Sequence, residues 1–240
     1  MGRNAVLFCG LLCATPVFAG HPGSVDLNPR QATPGLRLEL HELTPGRDQV
    51  PKKYRLLAAD YPRGVEFNVY AKDFSDSFTE IAMGFRVDAA GNVVSTNSAR
   101  PQRLQDMELS PGLYPRGAVW EVAIASTDRS ITAFARTIPH PISAQNRTCS
   151  LSLELLPSRG DRFLVTGSGF PPGDDVLTEL RIESRLEQKR RKIAVDGRLP
   201  RHVITHAAIG SERSARYSVK SHGCETVIDY EWGELALMRR

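Results

Sequence analysis

The chain has 240 residues, with 31 Lys and Arg against 27 Asp and Glu, a formal charge of +4, and 41% hydrophobic residues. That balance excludes a disordered polyelectrolyte, and so mild a charge points to no particular polyanion, nucleic acid included. The length suits one large domain or two small ones.

Residues 1–19 read as an export signal. Arg3 gives a charged start, Ala5 to Phe18 an apolar run too short to anchor stably in a bilayer, and Val17-Phe18-Ala19 a small-x-small-like cleavage site. Cleavage is expected after Ala19. Cys9 follows Leu7-Phe8 and Cys13 follows Leu11-Leu12, so neither has the two small residues of a bacterial lipoprotein signal. No later apolar run is long enough to span, and no stable membrane insertion is expected. The mature chain is expected in the periplasm or outside the cell.

Residues 20–35, rich in Pro and Gly, read as a flexible lead. From Leu36 the pattern becomes period-two: Leu36, Leu38 and Leu40 alternate with Arg37 and Glu39, and Val122 and Ile124 alternate less cleanly within "WEVAIAS". Alternation bounded by Pro, Gly, Asn and Asp marks half-buried strands. A first β-sandwich is therefore expected over 36–137. "TIPHPISAQNRT" follows, with two prolines, and 138–148 reads as a semi-rigid linker. A second sandwich is expected over 149–233, opened by Cys149, Leu151, Leu153 and Leu155 on one face and closed by Cys224, Ile228 and Trp232 on another. Residues 234–240 form a tail. Both cysteines face the same core in an oxidising compartment, which predicts a Cys149–Cys224 disulfide.

The stretch "FLVTGSGFPPGDDV", Phe163 to Val176, resembles a phosphate loop only superficially. Its glycines, Gly167, Gly169 and Gly173, are spaced G-x-G-x-x-x-G, prolines stand where a helix should begin, and no P-loop lysine follows. Gly167-Ser168-Gly169 is too short for a nucleophile elbow. The stretch has instead a counterpart in the first half. Tyr54 lies seven residues before Tyr61-Pro62-Arg63-Gly64, as Phe163 lies seven before Phe170-Pro171-Pro172-Gly173. "VDAAGNVV" and "VDGRLP" follow at similar distances, and "LRLELHELTPGRD" precedes one as "LSLELLPSRGDR" precedes the other. Trp120 and Ile131 are eleven apart, as are Tyr217 and Ile228. These ordered matches predict a duplicated unit of roughly 110 residues. The glycines become Ala58 and Asp60 in the first copy, so the turn reads as the corner of a sandwich.

A short aromatic strand, then G-S-G-F-x-P-G-D, then a β-branched strand resembles the bacterial immunoglobulin-like, filamin-like β-sandwich modules of exported envelope proteins. The resemblance covers mainly 149–232 and more weakly 36–136. It implies an all-β fold of two tandem immunoglobulin-like sandwiches, and a spacer, adhesive or binding role.

Other constellations are thin. His202 and His206 have zinc-like spacing on a helix, but on a strand their rings would stand about 13 Å apart, at ~3.3 Å per residue. Asp174-Asp175 lacks the alternating acids of a calcium loop. "QKRRK", Gln188 to Lys192, reads as a solvated hairpin tip. No catalytic residue, metal or cofactor is assigned. The best candidate surface is Tyr61, Arg63, Tyr114 and Arg116, which repeat an aromatic-Pro-Arg-Gly pattern; rings suit sugar faces and arginine suits carboxylates, though the same tyrosines could plug sheet ends. Two functions follow: an exported, non-enzymatic binding or spacer protein with an envelope protein or glycan as partner, or an exported hydrolase or metal-dependent enzyme using Ser168, His202, His206 and Asp174-Asp175 between the two units.

Overall fold

The computed structural model describes residues 24–43, 51–72, 74, 77–96, 101–157, 159–207 and 213–238. The expected export signal lies outside them. The chain is all-β, and among the described residues helix is confined to short 3-10 turns. No helix there is long and apolar enough to cross a membrane. The first half holds β1 (Ser24–Val25), β2 (Arg37–Glu42), β3 (Tyr54–Ala59), β4 (Glu66–Lys72), β5 (Phe78–Val87), β6 (Val93–Ser95), β7 (Glu108–Leu109), β8 (Trp120–Ser126) and β9 (Thr132–Thr137). The second holds β10 (Ile142–Asn146), β11 (Cys149–Leu155), β12 (Arg162–Ser168), β13 (Asp175–Ile182), β14 (Arg185–Lys192), β15 (Leu199–Thr205), β16 (Ser214–Lys220) and β17 (Glu225–Glu231).

Four antiparallel sheets result. In the first half β2-β3-β7 form one sheet and β1-β5-β4-β8-β9, with β6 beside β5, the other. In the second half β10-β11-β12-β15 form one and β14-β13-β16-β17 the other. Alternation explains which residues go inside. Along β11, Cys149, Leu151, Leu153 and Leu155 are all buried while Ser150, Ser152 and Glu154 between them are not. On β17, Thr226, Ile228 and Tyr230 are buried between exposed Glu225, Val227 and Asp229.

The two aromatic-Pro-x-Gly turns occupy matching places, between β3 and β4 and between β12 and β13. Tyr61 and Phe170 are both buried, and Gly64 and Gly173 both take positive φ, 78° and 73°. The residue before each aromatic is also left-handed: Gly169 at φ 78° and Asp60 at φ 69°. Aspartate tolerates that region better than most side chains. It survives at Asp60, where the carboxylate takes Arg37 Nε at 2.9 Å. At Gly169 it would not, since a Cβ would stand 1.8 Å from the Thr148 carbonyl oxygen. Two other sequence matches shift. Leu38 faces Ala58 and Leu151 faces Gly167, so Leu38, not Leu36, stands where Leu151 does. Trp120 faces Thr137 whereas Tyr217 faces Ile228, so the shared spacing of eleven is not a shared pairing.

Three stretches are more ordered than the sequence predicts. In the lead, β1 pairs with β5, Val25 and Leu27 are buried, and Thr33 N–H donates to the Thr132 carbonyl at 2.8 Å. The reason is an apolar outer sheet face, Tyr70, Phe78, Ala123 and Ala125, which the lead covers. In the expected linker, Ile142 to Asn146 form β10 and pair with β11, placing Ile142 opposite Leu153. In the tail, a 3-10 turn over Gly233–Leu237 buries Ala236. One hydrophobic cluster runs from Leu38 in the first half to Ala236 in the second. The junction is closed by backbone: Gly117 N–H donates to the His140 carbonyl at 2.7 Å, and Leu155 N–H to the Gly117 carbonyl at 2.8 Å.

Candidate functional site

The second half leaves two sheet edges open on one side. Among the described residues β14 pairs only with β13, and β15 only with β12. Between them lies a groove of about 260 Å³, lined by Glu187, Lys189 and Arg191 from β14, His202 to Thr205 from β15, and Thr178 and Tyr217 from the strands behind. Period two decides the lining: Glu187, Lys189 and Arg191 are alternate residues of β14 and share one face. "QKRRK" is therefore not a hairpin tip. Pairing continues from Ile182 opposite Arg185 to Asp175 opposite Lys192, which puts the tip at Glu183 and Ser184 and the basic run along the strand.

The groove's floor is a hydrogen-bonded network. His202 Nδ1 lies 2.8 Å from the Pro200 carbonyl oxygen, which can only accept, so Nδ1 carries the proton. In the neutral ring Nε2 is then an acceptor, and the Tyr217 hydroxyl, 2.8 Å away, donates to it. Burial holds the imidazolium form of His202 down, and the Arg191 and Lys189 charges add to this against the opposing Pro200 carbonyl. Burial likewise raises the Tyr217 hydroxyl above its ordinary value, so it is a neutral hydrogen-bonding group rather than a nucleophile. The Thr178 and Arg191 side chains beside the Tyr217 hydroxyl partly oppose the effect of burial on it. Thr178 Oγ1 donates to the Lys189 carbonyl at 3.0 Å. Arg191 Nε is buried without a hydrogen-bond partner among the described residues. Glu187 is paired with Arg185 at 2.7 Å, but neither Lys189 nor Arg191 has a carboxylate partner among the described residues. The result is two adjacent cations over a neutral His–Tyr pair.

The sequence-predicted surface is arranged differently. Tyr61 packs edge-on against Phe67, with ring centroids 5.3 Å apart, and its ring is buried. Tyr114 is buried too, its hydroxyl donating to the Val119 carbonyl at 2.8 Å. Neither ring is presented at the surface. Arg63 and Arg116 are exposed, and Arg63 Nη2 donates to the Ala89 carbonyl at 2.8 Å.

Cys149 and Cys224 form the disulfide, with Cα atoms 6.3 Å apart. It ties the start of β11 to the residue before β17, and so one sheet to the other. The hydrolytic candidates hold separate partners. Ser168 Oγ meets Ser150 Oγ at 2.8 Å, and His202 is in the groove. His206 Nε2 meets the Tyr230 hydroxyl at 2.9 Å inside the core, and Asp174 meets His222 Nδ1 at 3.1 Å. No group of three or more His, Cys, Asp or Glu is placed to hold a metal among the described residues. No family model matches the chain, and the search of curated proteins found no match.

Sequence reasoning missed Lys189, Arg191, Thr178 and Tyr217 as site residues. Only the basic run was visible, and its alternation becomes informative once Asp175 to Lys192 is read as one hairpin.

Proposed function

We propose that this chain is an exported, non-enzymatic binding module of the cell envelope, made of two immunoglobulin-like sandwiches related by duplication, with the β14–β15 groove as its binding site. The duplication reading draws support from the strand orders. In each half the first two long strands and one later strand make one sheet, β2-β3-β7 and β11-β12-β15, and the other sheet runs β5-β4-β8-β9 or β14-β13-β16-β17. Two sheets joined by crossing connections are what an immunoglobulin-like sandwich requires, which supports that reading. The export reading draws support from the signal-like first 19 residues and from the disulfide, a bond favoured in oxidising compartments.

The observation that carries the binding reading is the pair Lys189 and Arg191, turned into a groove without carboxylate partners, over Tyr217 and His202. A purely structural spacer has no need of cations on that inner face. The reading is tested with the exported form, whose N-terminus is expected to read Gly20-His21-Pro22. The immobilised protein is challenged with solubilised envelope material. Lys189→Gln combined with Arg191→Gln is expected to reduce retention by about tenfold or more with little change in melting temperature, since a hydrogen bond to a charged group contributes ~1.5–3 kcal/mol. Unaltered retention would contradict the reading.

A further inference from the structure

We infer that the β14–β15 groove holds a single carboxylate-bearing ligand of about sugar-acid or amino-acid size. This rests on the groove being the binding site and adds what it binds. The charge is the first argument. Lys189 and Arg191 stand two residues apart on one face, about 7 Å along the strand at ~3.4 Å per residue. An anion between them reaches both. Arginine's planar fork matches a carboxylate, and Arg191 Nε is a buried donor with no acceptor among the described residues.

The groove also carries one negative side chain. Glu187 lies on the same groove face, two residues before Lys189. Its negative charge, shared with Arg185 at 2.7 Å, adds repulsion for every further negative charge brought in. A dianion doubles the attraction to the two cations together with this repulsion, so the charges favour an anion and the carboxylate assignment rests on arginine's planar fork and on the size of the groove.

The second argument concerns the rest of the ligand. The Tyr217 hydroxyl, Thr178 and Thr205 line the groove beside apolar Leu180, Val203 and Ile204. Neutral hydroxyls and a partly apolar wall suit a small body that carries hydroxyl or C–H groups, and about 260 Å³ admits one ring or one amino acid but no folded chain. Edge protection alone does not explain the inner cations. Arg190 and Lys192, on the outer face of β14, already place charge on that edge, which is what deters pairing with a second copy.

The test is an NMR titration of the disulfide-intact protein, following the His202 and Tyr217 ring resonances. The probes are sodium glucuronate, glycine, acetate and inorganic phosphate. Saturable shifts with glucuronate or glycine are expected, and which of the two binds more tightly identifies a sugar-acid or an amino-acid source. Arg191→Gln should weaken that binding about tenfold or more, and Lys189→Gln by a smaller factor; Lys192→Gln should leave it unchanged. If phosphate saturates the site and no carboxylate does, the ligand class is wrong. If envelope retention depends on Arg191 yet no carboxylate shifts these rings, the ligand class is again wrong while the groove reading stands. If retention is also independent of Arg191, both fail. Equal weakening by Lys192→Gln would show a diffuse charge effect and overturn the built site.

Discussion

At the scale of single residues, burial sets the chemistry. His206 is 3% exposed, ringed by Phe163, Tyr230 and Trp232, and burial pushes its pKa from 6.5 down to about 4, against smaller opposing effects of Asp161 and Glu187. Between these values the unfolded chain binds a proton that the native ring refuses. Stability therefore rises with pH through this window: the contribution is complete above pH 6.5, declines as pH falls toward about 4 and then levels off. A difference of roughly 2 kcal/mol between pH 7 and pH 5 is expected from this ring. Chemical denaturation of His206→Leu should show that part of the pH dependence removed, even though the lost Tyr230 contact lowers stability at both pH values. An unchanged pH dependence would show that the ring is protonated in place. None of this was legible in the spacing of His202 and His206. That spacing places both on or beside one strand, but the phenols that engage them come from β16 and β17, far along the chain. Gly169 was legible in part: the matching stretch at Tyr61 suggested a structural turn, whereas the Thr148 carbonyl that excludes any side chain belongs to the turn between β10 and β11.

At the scale of elements, alternation revealed strands and hid their register. β11 and β17 follow the predicted inside and outside residues along their whole length. The match between β2 and β11 slipped by two, because a two-residue slip keeps every side chain on its own face and leaves the hydrophobic pattern unchanged. β14 escaped recognition for another reason: its inner face carries Glu187, Lys189 and Arg191 where an ordinary strand carries apolar groups. The disulfide was readable from two faces. It closes a loop whose ends are 75 residues apart, between strands of opposite sheets. Cys149→Ser with Cys224→Ser is expected to destabilise the second half by ~2–5 kcal/mol. Hydrogen exchange on β11 and β17 should report the loss; equal exchange in the two proteins would contradict it.

At the scale of the whole molecule, the two halves are not two beads on a linker. Ile142 to Asn146 became a strand, Gly117 joined backbone hydrogen bonds across the junction, and one core spans both halves. Gly117 is suited to that contact: it has φ +79°, and a Cβ there would approach Ile142 Cδ1 to 2.8 Å. The two halves share a plan but differ in their open edges. The first-half turns present arginines beside buried tyrosines, whereas the second half presents a groove whose cations have no carboxylate partner among the described residues, over a hydrogen-bonded floor. The central claim, that binding resides in that groove, is tested most directly by mapping amide shifts of the disulfide-intact protein as retained envelope ligand is added. The account predicts shifts concentrated at Glu187 to Arg191, His202 to Thr205 and Tyr217. Shifts concentrated instead at Tyr61 to Gly64 and Tyr114 to Gly117 would contradict it.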